Sequence, residues 1–166
     1  ESKTGQGISL LQFAAYCRNT SAVDLLKRHK QNLDFFEAAS IGDHKTIRRF
    51  LDTTPDLLNS FSPDGFTALG LASFFGHFQV VKKLLDKGAD PNIASNNSFK
   101  VAPIHSACAI SAVELAELII HHGANVNAKQ MNGVTPVLSA AHNGQTKLAK
   151  LLIDHGADIR AKTDNG

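Results

Sequence analysis

The stretch DKGADPN, residues 86–92, occurs three times in this chain in closely related forms. HHGANVN follows at residues 121–127 and DHGADIR at residues 154–160. The glycines of the three copies, Gly88, Gly123 and Gly156, are separated by 35 and then by 33 residues. Self-similarity at a period of roughly 20–50 residues is typical of repeat proteins. The three copies therefore predict an array of equivalent structural units.

A long amphipathic helix is predicted to end at each of these glycines, in the segments GHFQVVKKLLDKG, SAVELAELIIHHG and GQTKLAKLLIDHG. Their apolar residues recur at the spacing of one helix face, which predicts a buried side. The residues of that face are Val80, Val81, Leu84 and Leu85, then Leu115, Ala116, Ile119 and Ile120, then Leu148, Ala149, Leu152 and Ile153. Glycine adopts a positive φ angle without strain, so we expect it to end each helix.

A shorter helix rich in small residues is predicted before each long one, in TALGLASFFGH, APIHSACAISA and TPVLSAAHNGQ. The equivalent small residues, which allow close helix packing, are Ala72, Ala107 and Ala140. Thr67 and Thr135 are expected to cap two of these helices with their hydroxyls. Pro103 and Pro136 fall in the first turn, where no N–H group is needed. Turn-forming segments such as SPDG and TDNG, here called fingers, come before the short helices.

This unit of finger, short helix and long helix resembles the ankyrin repeat of about 33 residues. TALGLA, APIHSA and TPVLSA stand where that family has TPLHLA, and GADPN and GANVN match the family as they stand. Gly70 and Leu138 depart from it by replacing a histidine, and Ser111-Ala112 replaces Gly-His. DGFTALGLASFFGH with its long following finger is similar to small, ankyrin-only bacterial proteins. The resemblance implies an all-α solenoid of helix-turn-helix units with short β-turn fingers.

Five repeats are predicted within a single domain that spans residues 1–166. Their approximate bounds are 4–33, 34–61, 62–94, 95–128 and 129–161, and a further finger starts at 162–166. Ala14 and Ala38 are only 24 residues apart, so we expect QNLD to link the first two repeats without a finger. The finger at residues 95–102 is predicted to be two residues longer than the others. Both termini fall within a finger, so we expect that the chain is trimmed or that the natural protein continues.

Composition argues against several classes of protein. Lys and Arg total 17 against 15 Asp and Glu, a balance that gives no electrostatic footprint for nucleic acid. No apolar run reaches the roughly 18 residues of a membrane helix. The two cysteines, Cys17 and Cys108, are too few and too distant for a disulfide scaffold, which favours a reduced, cytoplasmic protein. The alternative is an exported protein whose leader was removed before Glu1.

Sequence motifs offer no catalytic residue, cofactor site or metal site. Four of the eight histidines are explained by their phase in the repeat. By resemblance to the family, His105 orders the finger backbone through hydrogen bonds, and His77 takes the Gly-His position. His122 and His155 precede the glycines at the negative ends of helix dipoles, where a cation is favoured.

A partner-binding surface is predicted where the repeats differ from one another. The resemblance implies a concave face made of finger tips and the exposed side of the short helices. An apolar strip on a solvent-facing groove indicates a partner, and aromatic residues are favoured anchors. The predicted binding residues are Tyr16, Ile41, Pro63, Asp64, Phe66, Phe74, Phe75, Phe99, Lys100, Ile110, Met131, Asn132, Val134, His142 and Asn143. We expect one ring of Phe74 and Phe75 to be largely inside and the other to lie in the groove.

These observations predict a monomeric, non-enzymatic module that binds a partner protein on its concave face, without nucleic acid or membrane insertion. The alternative is a regulatory or scaffolding segment of a longer enzyme or transport protein. An enzyme in its own right is the third hypothesis, and no catalytic constellation supports it.

Overall fold

The computed structural model describes residues 7–166, so most of the predicted first finger, ESKTGQG, lies outside the described residues. Within that range the chain forms ten α-helices and two short 3₁₀ turns, at Pro55–Leu57 and Met131–Gly133. The helices are α1 Leu10–Tyr16, α2 Thr20–His29, α3 Phe35–Ile41, α4 His44–Thr53, α5 Ala68–Phe74, α6 Phe78–Asp86, α7 Pro103–Ala109, α8 Val113–His121, α9 Pro136–His142 and α10 Thr146–Asp154. They form five pairs, each a short helix followed by a longer one.

The helices stack in two layers with the core between them. Each odd-numbered helix contacts the next odd-numbered one, from α1 to α9, and α4, α6, α8 and α10 contact one another in turn. The small residues of the short helices permit this stacking, because Ala72, Ala107 and Ala140 have no exposed surface. The all-α solenoid predicted from the sequence is confirmed.

The predicted apolar face of the long helices is buried in the inner repeats and only partly buried in α10. Leu85 is 4% exposed and Ile120 is 9% exposed, yet Ile153 at the equivalent position is 46% exposed. The prediction that Ile153 is buried is wrong, because each of the other two residues is covered by the following repeat. Among the described residues no helix pair follows α10.

The repeated glycines end the long helices through paired backbone hydrogen bonds. Gly88 has φ 89°, and its N–H donates to the carbonyl of Leu85 at 2.9 Å. The N–H of Ala89 donates to the carbonyl of Leu84 at 3.0 Å, which completes a Schellman motif. Gly123 and Gly156 repeat this geometry, as predicted.

One of the two predicted threonine caps is confirmed. Thr67 accepts a 3.0 Å hydrogen bond from the Gly70 N–H at the start of α5. Thr135 precedes α9 in the same way, but its hydroxyl is buried without a hydrogen-bond partner in the described part of the chain. The prediction of a hydroxyl cap at Thr135 is therefore wrong. Pro103 and Pro136 do lie in the first turns of α7 and α9.

The repeated endings also join neighbouring repeats through asparagine side chains. Asn92 donates to the carbonyl of Gly123 at 3.0 Å and accepts from the N–H of Asn125 at 2.7 Å. Asn127 makes the same two bonds one repeat later, to the Gly156 carbonyl at 3.0 Å and from the Asp158 N–H at 2.8 Å. The asparagines therefore fix the register of successive loops, a role the sequence analysis did not assign.

The first two repeats are joined directly, as their short spacing predicts. Residues 30–34 connect α2 to α3 with no finger between them. Asp34 and Glu37 form a capping box at the start of α3. Glu37 is fully buried, and its carboxylate accepts a 2.6 Å hydrogen bond from Lys30 and a 2.9 Å bond from the Asp34 N–H. Burial is the main reason that the pKa of Asp34 is raised above its ordinary value.

Candidate functional site

A groove of about 680 Å³ lies along the ends of the short helices. Four predicted binding residues line it: Ile41, Phe74, Phe75 and Ile110. Ile41 ends α3, Phe75 follows α5 and Ile110 follows α7, so the groove crosses successive repeats. Repetition of the backbone therefore places apolar side chains from different repeats side by side.

After each short helix, one residue adopts the left-handed backbone conformation, and this turn helps to place the apolar side chains of the groove. Gly42 has φ 73° and Gly76 has φ 75°, and each turns the chain from the short helix into the long one. Ser111, with φ 58°, takes the same conformation although it carries a side chain. In the three middle repeats the residue just before the turn, Ile41, Phe75 or Ile110, stands at the end of the short helix and lines the groove. Counting back from the glycine position had selected these residues in the sequence as candidates for partner binding.

Three aromatic rings form a cluster at the wall of the groove. The ring centroid of Tyr16 lies 5.2 Å from that of Phe75 and 6.0 Å from that of Phe74. Phe74 and Phe75 meet edge to face at 5.1 Å. Both phenylalanines are half-buried, so the prediction of one inner and one outer ring is wrong. Tyr16 contacts both rings.

The Tyr16 hydroxyl also reaches the finger of the third repeat. It donates a 2.6 Å hydrogen bond to Oδ2 of Asp64, and Ser62 donates to Oδ1 of the same carboxylate at 2.5 Å. Burial, and then the bond to Asp64 and its negative charge, raise the pKa of Tyr16 well above its ordinary value. The Asp64 carboxylate, predicted to contact a partner, is thus already engaged within the protein.

A second depression, here called the finger pocket, has a volume of about 760 Å³. It brings together the predicted residues Tyr16, Pro63, Asp64, Phe66 and Phe99, which come from two different fingers and from α1. The sequence analysis missed an aromatic member, Phe13, which is 46% exposed and lines the same pocket. Phe13 lies outside the pairs selected by counting back from the glycine position, so that count did not find it.

The long finger at residues 95–102 is held in one conformation by hydrogen bonds. The Ser95 N–H donates to the carbonyl of Val101 at 2.9 Å, and the Ser95 hydroxyl accepts from the Val101 N–H at 2.9 Å. The side chain of Asn97 donates to the carbonyl of Asp64 at 2.9 Å. The two extra residues predicted here therefore form an ordered element that is anchored to the preceding finger.

The remaining predicted residues line neither depression. Met131 is 42% exposed, and its N–H donates to the Phe99 carbonyl at 2.9 Å. Asn132 has φ 64°, and its carbonyl accepts from the Asp164 N–H at 2.9 Å. The others are Lys100 on the long finger, half-buried Val134, and exposed His142 and Asn143 at the end of α9. These residues form an outer rim along the later fingers and α9.

Three ionisable residues of the groove were not predicted as site residues: Arg18, Asp24 and His77. Arg18 occupies the left-handed position after α1, with φ 52°, where three of the other four repeats have glycine. His77 contacts the carbonyl of Ser40 through Nε2 at 3.0 Å, and burial lowers its pKa. The sequence analysis explained His77 by repeat phase alone, and the structure adds a position in the groove wall.

His105 has the structural role that the resemblance implies. Its Nδ1 accepts a 3.2 Å hydrogen bond from the Ala102 N–H, so Nε2 carries the proton and donates to the Ala128 carbonyl at 3.0 Å. His122 and His155 bond to carbonyls in the last turns of their own helices, at 2.9 Å each. All three histidines therefore act on backbone groups.

Residues 7–166 contain no group of three or more His, Cys, Asp or Glu side chains that could hold a metal ion. Both cysteines are free, Cys17 exposed and Cys108 buried, and burial raises the pKa of Cys108 to about 12. No helix in the described range has the length and apolar character needed to cross a membrane.

Comparison with known proteins identifies the repeat. Residues 1–95 and 92–163 match a family model described as ankyrin repeats (3 copies). The ankyrin repeat and KH domain-containing protein mask-1 of Caenorhabditis elegans is 35% identical over 97 residues, which are 58% of this chain and 4% of that protein. Human protein phosphatase 1 regulatory subunit 27 is 29% identical over 116 residues, 70% of this chain and 74% of that protein. The probable E3 ubiquitin-protein ligase XBOS31 of Oryza sativa subsp. japonica is 32% identical over 100 residues, 60% of this chain and 22% of that protein. The chain thus matches less than a quarter of the length of mask-1 and of XBOS31.

Proposed function

The chain belongs to the ankyrin-repeat family, and on that premise we propose that it is a non-enzymatic module whose groove and finger pocket bind a partner protein. The observation that carries the proposal is the apolar lining of the groove. Four large apolar side chains from three repeats, Ile41, Phe74, Phe75 and Ile110, lie half-exposed along it. Contiguous apolar surface of this kind on a soluble domain marks interaction sites.

The composition of the groove supports a protein partner in particular. Hot spots of protein interfaces are rich in aromatic residues and lie in well-packed pockets surrounded by polar groups. The cluster of Tyr16, Phe74 and Phe75 provides such anchors, and Arg18 and Asp24 provide opposite charges at the edge.

We further propose that the module acts as a monomer in the cytoplasm. A second candidate function is a regulatory or scaffolding segment of a longer enzyme. The similarity to the probable ubiquitin ligase XBOS31, of which the chain matches 22%, favours this alternative. Both candidates place the partner on the same groove and differ in what the rest of the polypeptide does.

Binding at the groove is tested by comparing a phenylalanine that lines the groove with one that lies outside it. Phe74→Ser alters the groove, and Phe78→Ser makes the same change at a residue that is 37% exposed at the start of α6. Lysate of the source organism is passed over each immobilised variant once circular dichroism has shown it to be folded. In parallel, a photo-crosslinking amino acid replaces Ile110 in the groove or Arg48 on α4, and mass spectrometry identifies the crosslinked proteins.

We expect one protein to be retained by the wild type and by Phe78→Ser, lost with Phe74→Ser, and crosslinked from position 110 only. Equal retention by both variants would refute binding at the groove. Crosslinks from position 48 alone would place the partner on the long helices instead.

A further inference from the structure

Two exposed phenylalanines share the finger pocket. Phe13 is 46% exposed and Phe99 is 53% exposed, more than Phe61 at 40% or Phe78 at 37%. Half-buried Tyr16 and Phe66 add to the apolar lining. Keeping two large aromatic side chains in water is unfavourable, and a partner side chain placed between them would remove that apolar surface from water.

The backbone around Phe99 holds this ring in place. The Phe99 N–H donates to the Asn97 side chain at 3.1 Å, and its carbonyl accepts from the Met131 N–H at 2.9 Å. Lys100 follows in the left-handed conformation, with φ 50°, which is costly for a residue with a side chain. A strained, well-bonded backbone that presents an exposed ring is typical of a functional loop.

The charges of the fingers differ from those of the long helices. On the long helices, Lys82 pairs with Asp86 and Lys150 with Asp154, both at 2.7 Å. The finger lysines, by contrast, are exposed and form no ion pair with any residue in the described range. They are Lys100, Lys129 and Lys162.

The carboxylates of the fingers do not balance these lysines. Asp64 lines the finger pocket and accepts hydrogen bonds from the neutral hydroxyls of Tyr16 and Ser62, which do not cancel its negative charge, so it offsets one of the three lysines. The other finger carboxylate, Asp164, lies on the last finger, as Lys162 does. Lys100 directly follows Phe99, and Lys129 lies two residues before Met131, whose N–H bonds to the Phe99 carbonyl. The edge of the finger pocket beside Phe99 therefore has an excess of positive charge.

We propose that the finger pocket binds an acidic peptide segment of the partner. The segment inserts an aromatic or large aliphatic side chain into the pocket lined by Phe13 and Phe99, and its carboxylates lie beside Lys100 and Lys129. This inference rests on the proposed function, and it adds the chemical class of the partner.

The probe is a set of peptides selected from a random twelve-residue phage-display library on the wild-type protein. Lys100→Glu/Lys129→Glu reverses two finger charges. Lys45→Glu/Lys147→Glu makes the same change in net charge at two exposed lysines on α4 and α10 and serves as the matched control. Phe99→Ser removes the exposed ring, and Phe74→Ser alters the groove. Fluorescence polarisation measures each affinity at two NaCl concentrations.

We expect the selected peptides to be enriched in Asp and Glu beside Phe, Tyr, Trp or Leu. Reversal of the finger charges should weaken binding about tenfold, added salt should weaken it further, and the control should bind as the wild type does. Phe99→Ser should also reduce the affinity. Neutral or basic peptides, equal binding by the two double variants, or no enrichment at all would overturn the proposal.

Failure here is distinguishable from failure of the proposed function. If the selected peptides are not acidic and their binding is lost with Phe74→Ser, the proposal of an acidic partner segment is refuted, but the proposal of binding at the groove is not. Peptides insensitive to both Phe74→Ser and Phe99→Ser would count against binding on this whole surface.

Discussion

The Tyr16 hydroxyl donates a 2.6 Å hydrogen bond to Asp64, a residue 48 positions further along the chain. This bond joins the first short helix to the finger of the third repeat. The two meet because residues 30–34 link the first and second repeats without a finger. Both residues line the finger pocket, and the Tyr16 ring also contacts Phe74 and Phe75 of the groove, so the bond links the first repeat to both depressions.

Loss of this bond should destabilise the protein without disturbing the aromatic cluster. Tyr16→Phe retains the ring that contacts Phe74 and Phe75 but removes the donor to a charged acceptor. We expect the free energy of unfolding to fall by about 1–2 kcal/mol, measured by urea denaturation. In an Asp64→Ala background the same change should cost much less. An equal cost in both backgrounds would show that the hydrogen bond is not responsible.

The asparagines that join successive loops should contribute strongly to stability. Asn127→Ala removes one donor and one acceptor, each bonded to the backbone of the next loop. We expect a loss of about 2 kcal/mol in the free energy of unfolding. Asn143→Ala is the control because its exposed side chain makes no hydrogen bond with the described residues, and it should change stability by less than about 0.5 kcal/mol. Equal effects at the two positions would contradict this role.

Replacing Ser111 by glycine should increase the stability of the protein. Its φ of 58° costs an ordinary residue roughly 1–2 kcal/mol, whereas glycine loses about 0.5–1 kcal/mol through its freer unfolded state. Ser111→Gly also gives up an exposed hydrogen bond from Gln145, so we expect a net gain of up to about 1 kcal/mol. Ser139→Gly within α9 should instead destabilise, because that residue is helical. Thermal melts of both variants test the difference, and a loss at both positions would rule out relief of strain.

His105 should make stability depend on pH. Burial lowers its pKa in the folded state below the ordinary value of about 6.5, so the unfolded chain binds the proton more readily. The contribution of neutral His105 to the free energy of unfolding is therefore fully present above the pKa of the unfolded state. It is lost as the pH falls towards the lower pKa of the folded state. Protonation would also place a hydrogen on Nδ1, against the Ala102 N–H that now donates to it.

The measurement is the free energy of unfolding between pH 7.5 and pH 5 for wild type and for His105→Gln. The wild type should lose more stability than the variant as the pH falls. The exposed His44 provides the control variant, His44→Gln, which should retain the wild-type slope. A variant at position 105 with an unchanged slope would exclude His105 as the source.

Much of the fold could be predicted because its signals are local. The period of the apolar residues identified the helices, the repeated glycines located their ends, and the interval from Ala14 to Ala38 predicted the missing finger. The site was predicted in part. Counting back from the left-handed turn found Ile41, Phe75 and Ile110, since repetition of the backbone repeats the direction of the side chain.

The predictions that proved wrong concern the burial of a side chain or its hydrogen-bond partner. Ile153 has the same phase as Ile120 but no described repeat packs over it. Phe74 and Phe75 were expected to differ in exposure, and Tyr16 from another repeat contacts both. Thr135 stands at the start of its helix as Thr67 does, yet only Thr67 forms the capping bond. None of these outcomes depends on the neighbouring sequence alone.

The sequence by itself determined the repeat, the helices and their ends, because each depends on residues within a few positions of one another. The tertiary structure decided which repeats meet at the surface. A linker without a finger brings Tyr16 to Asp64, and an ordered insertion brings Phe99 to the pocket that Phe13 also lines. Both juxtapositions join residues from different repeats. They exist only once stacking has set the distance and orientation between those repeats, because burial and long-range hydrogen bonds are properties of the packed chain.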